Sequence, residues 1–363
     1  MRQYLAMSAP GFQEVALRCL SRDLQDVRAE LVQDGLIVFA SAAPLVRVRA
    51  LPYLNNAFLV MKWIRKGATS GLEDTLVRLT RDAALARSLA RSVSEGERSF
   101  RLVLSKENRL MPCDPALFGN AESWISSTGL IADRRQADVE FWLMERRDGE
   151  IFLVKRITRR RKTEKDLEKG ELRPEIAFLL CSLSDPHRDD IFLDPFAGSG
   201  AIVLARAQQP FELLFASDRN ADKVQALRLK VKALGRRNAR IRKHLIVREA
   251  DALSLDRFQN GFVDKVVTDP PWGLFEETSC DLPDFYGGTL DELARVVKHG
   301  GVVVLLTAQK AIMEKLLVQR EGILKLEERY DVLIAGQKAA VFKIRRTNPP
   351  GTVQQDVNEP RSG

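Results

Sequence analysis

The stretch Val266-Val267-Thr268-Asp269-Pro270-Pro271-Trp272-Gly273 carries the sharpest chemical signal in the chain. An apolar run ends in a carboxylate, two prolines fix the backbone direction after it, and an indole follows. The exocyclic amine of a nucleobase is a poor nucleophile because its lone pair is delocalised into the ring. A carboxylate at Asp269 and the carbonyl of Pro270 can accept its two N–H groups and turn the lone pair outward. Pro271 stiffens the turn, and Trp272 offers a flat face on which a flipped base can stack. Asp269, Pro270, Pro271 and Trp272 are therefore the candidate catalytic set. The chemistry they suit is direct methyl transfer from a sulfonium to nitrogen, with no metal and no covalent enzyme intermediate.

A methyl donor needs its own seat. Leu193 is followed by Asp194-Pro195-Phe196-Ala197-Gly198-Ser199-Gly200, where a strand turns into a helix. Glycines let backbone approach a ligand closely, and a helix start offers free N–H groups. A dinucleotide fingerprint asks for a third glycine where Val203 stands, which disfavours a pyrophosphate and with it a nucleotide-dependent dehydrogenase. S-adenosyl-L-methionine, which has no pyrophosphate, fits instead. Asp218, followed by Arg219, ends the next strand and is placed to take both ribose hydroxyls. Asp251, followed by Ala252, comes after the third strand and can accept from an adenine amino group. Both aspartates also suit helix capping.

The elements that position these residues follow from periodicity. Apolar runs at Ile191–Leu193, Leu213–Ala216, Leu245–Val247, Val266–Val267 and Val302–Leu306 alternate with helices, as in a parallel sheet wrapped by helices. Pro174 opens the helix that leads into this part, and 324–334 with 338–346 form an antiparallel hairpin. In a doubly wound sheet the first and fourth strands flank the reversal, so Asp194 and Asp269 are predicted to face one cavity from adjacent strands. Upstream, strands at 2–7, 27–33, 35–40 and 56–64 interleave with helices from about Gly11 and at 43–50. The turn at Asp34-Gly35 marks a hairpin, and the order β-α-β-β-α-β is the ferredoxin-like one. A second α+β unit follows, with helix at 71–93 and 114–128 and strands at 98–104, 138–145 and 151–156. The expected division is 1–66, 67–157, a linker at 158–172, the α/β domain at 173–346 and a disordered tail at 347–363.

Composition narrows the partners. The chain has 363 residues, 45% of them hydrophobic, and a net charge of +8, which suits a polyanion. The charge is clustered: Arg159, Arg160, Arg161 and Lys162 lie in one basic run, and Arg236, Arg237 and Arg240 in another. These seven are candidate RNA contacts. The 4 cysteines (Cys19, Cys113, Cys181, Cys280) form no CxxC pair and only 3 histidines occur, so neither a metal site nor a disulfide framework is expected. No apolar run of membrane-spanning length and no secretory pattern at Met1–Gly11 is present, so the expected place is the cytoplasm, with no membrane partner.

At the four motifs the C-terminal half, about 172–346, resembles class I methyltransferases that act on amino groups of bases, with the glycine loop first and Asp-Pro-Pro-Trp later. The whole chain is similar to the THUMP-domain tRNA guanine-N2 methyltransferases, and Leu172–Ala177 is similar to that family's entry into its catalytic domain. The resemblance implies a ferredoxin-like domain at 1–66, a THUMP domain at 67–157 and a Rossmann-like catalytic domain with a mostly parallel seven-stranded sheet. It implies that THUMP holds the 3′ end of tRNA while a guanosine in the acceptor stem is methylated, and it leaves room for a small activating subunit. Carried over, Asp194, Gly198 and Gly200 contact the methionine part, Asp218 the ribose and Asp251 the adenine, while Asp269, Pro270 and Trp272 hold the target base. The family usually has tyrosine or phenylalanine where Trp272 stands, and tryptophan there also occurs among adenine-N6 enzymes. Adenine-N6 or ribosomal guanine-N2 methylation is therefore the alternative within the class. A non-catalytic RNA-binding protein with a methyltransferase fold is the alternative outside it.

Overall fold

The computed structural model describes residues 1–33, 35–158, 171–273 and 281–347, and its first sheet is built on strands rich in buried apolar side chains, Leu36–Ser41 being buried throughout. β1 (Arg2–Met7), α1 (Gln13–Leu24), β2 (Arg28–Gln33), β3 (Leu36–Ser41), α2 (Leu45–Arg49) and β4 (Asn56–Ile64) follow the expected order. Their pairings are all antiparallel, in the order β2-β3-β1-β4. α1 buries Val15, Ala16, Cys19 and Leu20 along the face that the helical spacing predicts.

The region read as one helix at 71–93 is two, α3 (Leu72–Leu79) and α4 (Ala83–Ser92). Asp82 breaks it: its carboxylate accepts the Leu85 N–H at 2.9 Å and caps a new helix. β5 (Ser99–Lys106), β6 (Arg109–Leu110), α5 (Pro115–Ser126), β7 (Ile131–Ala132), β8 (Val139–Glu145) and β9 (Ile151–Arg156) complete this part. β5 and β8 run parallel, and Phe100, Leu102, Phe141 and Leu143 on them share a core with Leu76 of α3 and Ile125 of α5. β9 pairs with β4, so the strands of both α+β units form one 9-stranded sheet.

The second sheet is the expected one. It is built from α6 (Pro174–Leu183), β10 (Ile191–Asp194), α7 (Ala201–Arg206), β11 (Leu213–Asp218), α8 (Ala221–Gly235), α9 (Ala239–His244), β12 (Leu245–Glu249), β13 (Val263–Thr268), α10 (Leu282–Val296), β14 (Val297–Thr307), α11 (Lys310–Val318), β15 (Leu324–Ile334) and β16 (Gln337–Arg346). The 7 strands run in the order β12-β11-β10-β13-β14-β16-β15. The first five are parallel, and β15 and β16 close the sheet as an antiparallel hairpin. Val302, Val303, Val304, Leu305 and Leu306 are all buried, as a strand covered on both faces requires. Asn220 caps α8 through the N–H groups of Asp222 and Lys223 at 2.9 and 3.1 Å, and Asp281 caps α10. The chain packs as two units, one carrying the 9-stranded sheet and the other the 7-stranded one. The basic run at Arg159, Arg160, Arg161 and Lys162, most of the expected linker and the tail from 348 onward lie outside the described residues.

Candidate active site

β10 sits between β11 and β13, and the winding reverses there. Crevices of open α/β sheets form beyond the carboxyl ends of strands at such a point. Asp194 is the last residue of β10, Asp218 the last of β11, and Asp269 follows the last residue of β13. Thr268 ties two of these ends together, because its hydroxyl donates to Asp194 Oδ1 at 2.9 Å. Asp194 and Asp269 thus project from adjacent strand ends.

Asp194 is fully buried, and its Oδ1 also accepts the Phe196 N–H at 3.3 Å. Its Oδ2 has no partner among the described residues. Burial pushes the carboxyl up to about 7, helped by the charge of Asp218 and opposed by the two hydrogen bonds. The loop beyond it is strapped to β11: Ala197 N–H donates to the Ser217 carbonyl at 2.9 Å and Gly198 N–H to Asp218 Oδ2 at 2.9 Å. Gly200 has φ of +89°, and a Cβ there would lie 2.3 Å from Leu227 Cδ1, so only glycine lets α8 approach this turn. Phe196 packs on Phe285 with ring centroids 5.7 Å apart, and Ser199 offers its carbonyl to Lys230 at 3.2 Å. Pro195 is buried.

The Asp218 carboxylate serves the loop as well as any ligand, since its Oδ1 accepts the Asn220 N–H at 2.9 Å. Arg219 beside it is exposed. Asp251 is exposed, and its Oδ1 accepts the Leu253 N–H at 2.9 Å; this braces a turn and caps no helix, since β13 is the next element. Ala252 is buried beneath it. A cavity of about 160 Å³ opens nearby between Ser217, Ala250, Leu255 and Phe258, and the buried Ser217 hydroxyl on its wall has no partner among the described residues. An unpartnered buried acid, a tight glycine turn and a slot beside Asp251 together fit a ligand with an ammonium, a ribose and a flat ring.

The Asp269–Trp272 turn is held by one bond of its own and by side chains from outside it. Trp272, half-buried, donates its indole N–H to Asp269 Oδ1 at 2.8 Å. Tyr286 OH donates to the Pro271 carbonyl at 2.9 Å and lies 2.6 Å from Thr307 Oγ1. Gln309 donates its backbone N–H to Thr307 Oγ1 at 3.0 Å and its side-chain amide to the Trp272 carbonyl at 2.6 Å. Burial pushes the Tyr286 hydroxyl up, so it remains a donor. Pro270 is buried, and no donor among the described residues reaches its carbonyl. Sequence reasoning missed Thr268, Tyr286, Thr307 and Gln309. Thr268 had a signal, a polar residue ending a buried strand, whereas Tyr286 and Gln309 belong to no motif.

In the second basic run Arg236 and Arg237 are exposed. Arg240 is exposed as well but has a partner: its guanidinium carbon lies 4.3 Å from the Phe211 ring centroid, and it donates to the Phe211 carbonyl. Among the described residues no helix is long and apolar enough to cross a membrane.

Known proteins resemble this chain along most of its length. The family described as RMKL-like, methyltransferase domain matches residues 160–336. A tRNA (guanine(6)-N2)-methyltransferase of Thermus thermophilus is 30% identical over 251 residues, which cover 68% of this chain and 72% of that protein. A tRNA (guanine(10)-N2)-dimethyltransferase of Methanothermobacter thermautotrophicus is 26% identical over 176 residues, covering 48% of this chain and 49% of that protein. The crystal structure of TrmN from Thermus thermophilus superposes with a TM-score of 0.75 at 25% identity, covering 95% of this chain and 100% of that one.

Proposed function

The chain belongs to the THUMP-domain tRNA guanine-N2 methyltransferase family, and on that premise we propose that it methylates the N2 amino group of a guanosine in the acceptor stem of tRNA, using S-adenosyl-L-methionine, in the cytoplasm. The observation that carries this reading is the pair of acceptors at the switch point, the Asp269 carboxylate and the Pro270 carbonyl, which no donor among the described residues reaches, joined through Thr268 to the buried Asp194. An amine with two N–H groups satisfies both acceptors at once. Trp272 presents its ring to the flipped base. Asp194 Oδ2 takes the ammonium of the methionine part, Asp218 the ribose and Asp251 the adenine. When bound, S-adenosylmethionine supplies an electrophilic methyl on a sulfonium. The chain itself contributes orientation of the amine and stabilisation by Asp269 of the positive charge that grows on nitrogen. The 9-stranded unit holds the tRNA 3′ end, and Arg236 and Arg237 meet phosphate.

Purified protein incubated with labelled S-adenosylmethionine and separate pools of unmodified tRNA, ribosomal RNA and DNA tests this reading. N2-methylguanosine in tRNA is expected, and none with Asp269→Ala. Label as N6-methyladenosine, or in another pool, overturns the substrate. Cofactor binding with no label in any pool overturns the reaction or requires a partner subunit.

A further inference from the structure

We infer that Trp272, backed by Gln309 and Tyr286, limits this site to one methyl transfer per amino group. The inference rests on the reading above, in which Asp269 and Pro270 accept the two N–H groups of the amine. Each transfer forms an N–C bond from the nitrogen lone pair and breaks the S–C bond of a sulfonium donor, whose electrons stay on sulfur. One N–H proton is then released. For a second transfer the lone pair must again point at the donor, so the first methyl has to occupy the direction of one of the two acceptors.

The geometry makes that direction expensive. An acceptor oxygen stands about 2.9 Å from the nitrogen it receives from. A methyl carbon about 1.5 Å along the same line would meet that oxygen at roughly 1.4 Å, where about 3.3 Å is a close carbon–oxygen approach. One acceptor must therefore withdraw by roughly 2 Å, or the base must leave its position.

Neither acceptor is mounted to withdraw. Trp272 Nε1 holds Asp269 Oδ1 at 2.8 Å and so fixes the carboxylate rotamer. The two carbonyls after Pro270 are held by Tyr286 at 2.9 Å and Gln309 at 2.6 Å, which fixes the turn that aims the Pro270 carbonyl. Thr307 orders both holders, accepting the Gln309 N–H at 3.0 Å and meeting the Tyr286 hydroxyl at 2.6 Å. A phenylalanine in place of Trp272 keeps a stacking face but loses the N–H that locks the carboxylate. Dimethylation by a relative shows that two transfers are open to proteins of this kind.

The test compares the full-length protein with Trp272→Phe, Gln309→Ala and Tyr286→Phe. The RNAs are an unmodified tRNA transcript and the same transcript carrying N2-methylguanosine at the position the protein methylates. Nucleosides are identified after long incubation with excess enzyme, and binding of both RNAs is measured without methyl donor. The wild type is expected to stop at N2-methylguanosine and to bind the premethylated RNA at least tenfold more weakly than the unmodified one. The variants are expected to raise the N2,N2-dimethylguanosine fraction at least tenfold and to narrow the binding gap. Dimethylation by the wild type overturns the inference. So does an unchanged product ratio and binding gap in every variant that keeps the first transfer. Loss of the first transfer in all three, with the binding gap intact, also overturns it, because the lock then serves the first step alone. If the wild type forms no N2-methylguanosine, it is the underlying reading that fails.

Discussion

The glycine loop and the Asp269–Trp272 turn lie at the ends of adjacent strands, yet they are held in opposite ways. The glycine loop is strapped by its own neighbourhood: Ser217 and Asp218 at the end of β11 take its N–H groups, and Thr268 at the end of β13 anchors Asp194. The Asp269–Trp272 turn depends on residues that arrive later in the chain, Tyr286 on α10 and Gln309 beyond β14. One loop is held by the strand ends on either side of it, and the other by one bond within its own motif and by residues that belong to no motif. Substitutions in the first should therefore act on stability and donor binding, whereas substitutions behind the second should act on what the site does to the base.

The largest effect expected on the first side comes from Gly200→Ala. A left-handed backbone costs a non-glycine residue about 1–2 kcal/mol, and forcing a methyl into the space of buried Leu227 adds about 1–3 kcal/mol. At roughly 2–4 °C per kcal/mol for a unit of this size, calorimetry should show the thermal midpoint falling by about 5–15 °C. Gly198→Ala is the sharpening control. Its φ is +49° and the nearest atom to an added Cβ is the Phe196 carbonyl oxygen at 4.0 Å, so only the backbone term applies. If Gly198→Ala costs as much as Gly200→Ala, the approach of α8 does not shape this loop.

Asp194→Asn should show a smaller effect with a distinctive pH signature. The folded protein holds this carboxyl at about 7, above its ordinary value of 3.8, mainly through burial. Between those two values the folded state keeps a proton that the unfolded state has released. Stability of the wild type therefore falls as pH rises from about 4 to about 7 and is flat above, at ~1.4 kcal/mol per pKa unit. Asparagine removes that slope. It also leaves a buried amide without a partner at the Oδ2 position, which costs about 1–3 kcal/mol. The net gain above pH 7 is then about 1.5–3.5 kcal/mol, turning into a loss below pH 4. S-adenosylmethionine should stabilise the wild type more than the variant at pH 8. Parallel stability curves for the two proteins from pH 4 to pH 8 would show that Asp194 is not a strained acid.

This contrast also explains what could be read in advance. The central strands of the 7-stranded sheet were legible because burial on both faces leaves short apolar runs such as Val302–Leu306, and the closing hairpin was legible because its two strands lie close together in the chain. The glycine loop was legible for the same local reason. The split at Asp82 was not, because a capping aspartate inside an apolar rhythm looks like any exposed polar residue until its carboxylate turns back on Leu85. Pairing of β4 with β9 was not legible either, since strand neighbours far apart in the chain leave no spacing to count. Tyr286 and Gln309 escaped for that reason too: one reads as an apolar-face residue of a helix and the other as a polar residue after a strand. Their function exists only once β14 and α10 bring them to the turn.

The basic run between β11 and β12 sharpens the comparison at the smallest scale, because it contains both kinds of residue within five positions. Arg240 is fastened to Phe211 through its ring face and its carbonyl, while Arg236 and Arg237 extend into solvent. Replacing Arg236 and Arg237 together by alanine should leave the thermal midpoint within about 2 °C, since exposed side chains away from packed contacts change stability by at most about 0.5 kcal/mol. If both meet phosphate, the plot of log affinity for tRNA against log salt should flatten by about 1.4–1.8, or roughly 0.7–0.9 per contact. Arg240→Ala should do the reverse, lowering the midpoint through lost packing while leaving the salt slope close to that of the wild type. Filter binding across salt concentrations, run beside calorimetry on the same preparations, separates the two. An Arg240 variant that flattens the slope as much as the double variant would mean that the whole run faces RNA, and that its contact with Phe211 yields when RNA binds.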